Sequence, residues 1–159
     1  MNTLVSTPSE SLYLELGIVD IETTIKARRI NYLHYLLTRK ETEMLAKFFH
    51  TQWKYPTNKQ DWTELVKEDL ADFEMSQDLD FISSKSNFSF KNLVRTKSKE
   101  YAWEKFMTKK VTHSKMDDLW YPKLNLQEYL QTNKFTAEEV KTIFKHRTRM
   151  SNFKENFKN

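Results

Sequence analysis

The sequence predicts an all-α fold, a single compact domain of about six helices. Three observations predict it. The 159 residues include one glycine and three prolines, too few for the many tight turns of an all-β chain. Apolar residues recur at helical spacing in four strong segments. Helix start signals precede several segments, the clearest at Thr136. Hydrophobic residues are only 38% of the chain, but aromatics reach 14% and supply a core.

Residues 1–7 read as a frayed end. Thr7 and Pro8 then read as N-cap and first helical residue. The helix from Ser9 to Leu16 carries Leu12, Leu14 and Leu16, a spacing of two that also suits a strand, and Gly17 suits its C-terminal cap. Asp20 caps a second helix over 21–38, with Ile21, Ile25, Leu33 and Leu36 on one stripe. A third, near 41–54, presents Met44, Leu45, Phe48, Phe49 and Trp53 and stops before Pro56. Asn58 or Asp61 begins a fourth, with Trp62, Leu65, Val66, Leu70 and Phe73. Residues 74–86 hold a short helix between loops. The longest helix runs from Ser86 or Asn87 to about Val111, with Phe90, Leu93, Val94, Tyr101, Ala102, Phe106 and Met107 on its apolar face. Residues 113–135 read as mostly irregular. Thr136 and Glu139 form a capping box for the last helix, whose stripe is Val140, Ile143, Phe144 and Met150; 151–159 read as a frayed end.

Composition excludes several chemistries. With no cysteine there is no disulfide, thiolate metal site or cysteine nucleophile. One glycine cannot build the loops that bring backbone amides to a phosphate, which removes P-loop and dinucleotide-binding folds. The four histidines, His34, His50, His113 and His146, have no metal-ligand spacing. Carboxylate pairs such as Asp117 with Asp118 read as surface or cap residues, and no nucleophile elbow occurs. The expectation is a chain with no catalytic residue, metal or cofactor and no small-molecule substrate. Mean hydropathy is −0.76, and no apolar run approaches the ~20 residues that cross a bilayer. The start MNTLVSTPSE has neither a basic nor an apolar signal region, so the expected location is intracellular, nucleus or cytoplasm, not secreted and without a membrane partner.

Net charge is only +4, yet it is unevenly spread. Residues 57–90 set three lysines against eight carboxylates, a net of −5; residues 91–115 have a net of +6 and residues 134–159 a net of +4. Lys91, Arg95 and Lys99 stand at i, i+4, i+8 on the long helix, and Lys141, Lys145 and Arg149 repeat that spacing on the last one. Such stripes serve either as solvated faces or as contacts for a polyanion, which relieves their mutual repulsion. Arg28 and Arg29 stand at the level of an apolar stripe and call for snorkelling or an ion pair, for which the acidic stretch 61–80 is the nearest supply. Arg147, flanked by Ile143, Phe144 and Met150, has the same two readings. Trp53, Trp62, Trp103 and Trp120 suit either a core or a base-stacking surface, and their apolar neighbours favour a core.

Four stretches carry a resemblance: LYLELGIVDIETTIKARRINYLHYLL (12–37), FKNLVRTKSKEYAWEKFM (90–107), THSKMDDLWYPKLNLQEYL (112–130) and HRTRMSNFKENFKN (146–159). In order and spacing they resemble the region downstream of the reverse transcriptase domain in the polyprotein of non-LTR (LINE-type) retrotransposons, over about residues 8–159. The resemblance implies a helical connector beside the polymerase that helps hold RNA or DNA, with the reverse transcriptase domain as a further partner. The matched basic positions are Arg28-Arg29 and Arg147-Thr148-Arg149, and His113-Ser114-Lys115 is a matched turn. The polymerase's metal-binding aspartates and the family's zinc-knuckle cysteines are absent, so the resemblance implies no polymerase activity. A chain beginning at Met1 within this pattern is expected to be a truncated or degenerate reading frame. The expected function is non-specific contact with an RNA or DNA backbone through Lys91, Arg95, Lys99, Lys141, Lys145, Arg147 and Arg149, with Arg28 and Arg29 in structural ion pairs. The alternative is a structural or protein-interaction module that binds no nucleic acid.

Overall fold

The computed structural model describes residues 9–40, 43–56, 58, 61–111 and 121–148, without the side chains of Lys110 and Val111. The start at Thr7 and Pro8, the two ends, His113-Ser114-Lys115, Trp120 and Arg149 lie outside the described residues. Among the described residues there are helices and no strands. Eight helices occur among the described residues, where about six were expected: α1 (Ser9–Leu16), α2 (Ile21–Leu37), α3 (Met44–Lys54), α4 (Trp62–Asp72), α5 (Leu79–Ser84), α6 (Asn87–Val111), α7 (Glu128–Gln131) and α8 (Ala137–Arg147). The turn α7 forms inside the stretch expected to be mostly irregular.

Chain packing separates a central unit, Asp20–Tyr101, from a terminal unit made of Met1–Val19 and Ala102–Asn159. In the central unit α2 packs on α3, α4 and α5, and α3 packs on α4. Its core holds Ile30, Leu33 and Leu36 of α2, Phe49 of α3, Val66 and Leu70 of α4, Ile82 of α5, and Phe90 and Val94 of α6. Trp53 and Trp62 are partly buried and pack against this core, as their apolar neighbours lead one to expect. A wide indole seldom disappears completely into so small a unit. His34 is buried among these residues, its ring stacked on Phe90 at 4.5 Å. Its Nε2–H donates to the Lys85 carbonyl at 2.9 Å, so a polar ring enters the core without losing its partner.

Two faces differ from expectation. On α2, Ile21 is 73% exposed and Ile25 is also exposed, whereas Thr23 is buried in their stead. The Asp20 cap explains the exchange. Asp20 accepts from the Thr23 amide and the Thr23 hydroxyl, both at 3.0 Å, so a polar residue can occupy the inward face of the first turn. On α3, Phe49 points inward, but Met44, Leu45 and Phe48 are exposed.

The terminal unit has a smaller core of Leu14, Ala102, Phe106, Tyr121 and Leu124, with Trp103 half-buried against it and its indole N–H donating to the Tyr121 carbonyl at 2.8 Å. Helix α1 ends as its glycine foretells. Gly17 has φ +64°, and the Ile18 amide reaches back to the Tyr13 carbonyl at 3.1 Å. The chain at Asn125 and Leu126 passes so close that a Cβ on Gly17 would stand 2.1 Å from backbone atoms. Helix α8 begins with the expected capping box, Thr136 accepting from the Glu139 amide and Glu139 from the Thr136 amide.

Helix α4 ends in the same left-handed way as α1 but without glycine. Glu74 has φ +49°, and the Met75 amide donates to the Leu70 carbonyl at 2.8 Å. Two substitutions therefore have opposite expected signs. Gly17→Ala combines a disfavoured φ with a backbone clash and should cost about 2 kcal/mol or more. Glu74→Gly relieves a left-handed side chain and should gain about 0.5 kcal/mol after the entropy of the unfolded chain is counted. Urea midpoints of the two variants against the parent check both signs.

Candidate functional site

The basic residues divide between the two units. Lys91, Arg95 and Lys99 belong to the central unit, Lys141, Lys145 and Arg147 to the terminal one, and Arg149 lies outside the described residues. On α6 the side chains of Lys91 and Arg95 are exposed and that of Lys99 is half-buried. Successive residues turn about 100°, so Arg95 and Lys99 lie on the side away from Phe90 and Val94, with Lys91 on the flank. None of the three pairs with a carboxylate among the described residues. Lys97, half a turn from that face, is different: it meets Glu100 at 3.0 Å and Glu74 at 3.8 Å. The acidic end of α4 thus neutralises one side of α6 and leaves the other positive. On α8, Lys141 and Lys145 are exposed, and Lys141 stands 3.8 Å from Glu138.

Arg147 is a correction. It was expected on a nucleic-acid face, but its Nε donates to Glu15 Oε1 at 2.5 Å. Glu15 is 0% exposed and also accepts from the Tyr121 hydroxyl at 2.6 Å. The guanidinium lies 5.5 Å from the Tyr121 ring centroid and 5.9 Å from that of Tyr129. Burial first, then the neighbouring carboxylate, pushes both tyrosine hydroxyls well above their usual range. The Tyr129 hydroxyl makes no hydrogen bond of ordinary geometry but sits in the field of the same carboxylate. Burial disfavours the Arg147 cation, and the Glu15 carboxylate outweighs it, raising the pKa. Arg147 is half-buried and held by Glu15.

Arg28 and Arg29 separate likewise. Arg29 grips Asp69 with two parallel bonds, Nε to Oδ2 at 2.6 Å and Nη2 to Oδ1 at 2.8 Å. Those bonds raise its pKa, and Asp69 is buried. Lys26 joins the cluster through Asp72 at 2.5 Å and Asp69 at 3.6 Å. Arg28, a further 100° around α2, is exposed and makes no ion pair among the described residues, so of the two expected pairs the one at Arg29 is seen there.

Glu15 was missed from the sequence, although it carried a signal: a lone carboxylate inside the apolar run LYLEL, with an arginine inside another apolar stripe. A buried acid of that kind demands a buried or half-buried base. Among the described residues no three His, Asp or Glu side chains gather as metal ligands, and no helix is long and apolar enough to cross a membrane. No protein-family model, curated protein or solved structure matches the chain.

The contrast between the arginines is testable. Arg147→Ala strands a buried carboxylate and should cost about 3 kcal/mol. Arg28→Ala should stay within about 0.5 kcal/mol of the parent. Chemical denaturation followed by circular dichroism distinguishes the two.

Proposed function

We propose that the chain is a non-catalytic helical connector of the non-LTR retrotransposon type, which holds RNA or DNA through the phosphate backbone without reading sequence. The observation that carries this reading is the unneutralised face of α6 with Lys91, Arg95 and Lys99, set opposite the side that Glu74 and Glu100 neutralise. Lys141 and Lys145 on α8 supply further exposed cations. The four family-like stretches support the same reading. The chain would carry out no reaction of its own and would work beside a reverse transcriptase domain within the cell.

Contact of this kind is electrostatic. It gives affinities of about micromolar or weaker near physiological salt, and log affinity falls with log salt by about 0.7 to 0.9 per phosphate engaged. A second reading, a protein-interaction module, is favoured by the exposed Met44, Leu45 and Phe48 on α3. Fluorescence anisotropy over a salt series, with RNA and DNA as probes, separates the two. Reversing Lys91, Arg95 and Lys99 to Glu should flatten the salt slope by about two to three at unchanged helix content. Absence of binding by the parent at low salt, or an unchanged slope in the triple variant, favours the interaction module.

A further inference from the structure

Phe88 and Phe90 stand two residues apart on α6 and so face nearly opposite ways. Phe90 is wholly buried in the central core, whereas Phe88 is 79% exposed. Phe88, Arg95 and Lys99 fall within about 40° of one another around the helix, with Asn92 on one flank and Lys91 on the other. The exposed ring therefore shares the face that carries the three cations. From Phe88 to Lys99 the rise is about 17 Å, so the ring and the cations stand within reach of one short stretch of strand.

Resting on the phosphate-binding reading above, we infer that this face takes single-stranded nucleic acid, with an unpaired base stacked on the Phe88 ring and the following phosphates on Lys91, Arg95 and Lys99. The chemistry selects the single strand. Cations attract the phosphates of either form, but the faces of paired bases in a duplex are covered by their neighbours. Only an unpaired base can offer its face to an exposed ring, and stacking of this kind tolerates any base. The side chain of Asn92 has both a donor and an acceptor on the same face, suited to a ribose or a base edge. Phe88 contributes nothing to the core, so its removal tests the contact rather than the fold.

The experiment compares labelled single-stranded RNA with duplex RNA of equal length in fluorescence anisotropy at low salt. Phe88→Ala should weaken single-strand binding about fivefold or more, shift duplex binding by less than about twofold and leave the salt slope unchanged. Phe88→Trp should restore or tighten single-strand binding. Lys91→Glu with Arg95→Glu should weaken both forms and lower both slopes. Equal effects of Phe88→Ala on the two forms, or no effect on either, would overturn the stacking while parental salt-dependent binding leaves the backbone reading standing. A parent that binds neither form at low salt overturns both.

Discussion

The carboxylate of Glu15 is the constraint on which the terminal unit depends. A charge with no solvent contact is costly unless several partners surround it. Here the partners come from distant points in the chain: the Tyr121 hydroxyl, the Arg147 guanidinium and, through its field, Tyr129. Satisfying one acid on α1 thus fixes the segment that begins at Tyr121 and the last turn of α8. Among the described residues the apolar core beneath it comprises five buried side chains, and this charge cluster joins them in setting the geometry. The backbone makes the same demand a few residues on, where Gly17 lets the chain near Asn125 approach and the Gln127 amide donates to the Glu15 carbonyl at 3.3 Å.

The central unit repeats the device with a larger core. Asp69 on α4 is buried and held by the Arg29 fork, with Lys26 bridging to Asp72. These charges order α2 against α4, where apolar contact alone allows sliding by a turn. Committing the acidic side of α4 inward also shapes the surface. Asp69, Asp72 and Glu74 engage Arg29, Lys26 and Lys97, and none of Lys91, Arg95 and Lys99 forms an ion pair among the described residues.

Much of this was legible in the sequence and some was not, for identifiable reasons. Caps are local chemistry, and Asp20, Gly17 and the Thr136–Glu139 box act as their residue types require. The buried positions of α6 were legible as residue types, Phe90 and Val94 for the central core and Ala102 and Phe106 for the terminal one. The face of α2 was not: hydrophobicity points to Ile21 and Ile25, and a hydrogen bond from Thr23 decides otherwise. Nor could spacing say which of two adjacent arginines finds a carboxylate. Arg28 and Arg29 differ only by 100° of rotation, and the location of Asp69 chooses between them. Arg147 failed as a surface cation because its partner lies far away in sequence, beyond any local pattern.

Among the described residues the indoles divide between the two units, Trp53 and Trp62 in the central one and Trp103 in the terminal one. Their surroundings differ as well. Trp103 is tethered through its ring nitrogen to a backbone carbonyl, while Trp53 lies beneath the Lys67 ammonium at 4.9 Å and Trp62 meets the edge of Tyr32. The chain thus contains its own optical labels. Replacing selected tryptophans by phenylalanine gives emission from one unit at a time, without an added dye. Thermal melts recorded in that way resolve whether the two cores come apart in one cooperative event or in succession.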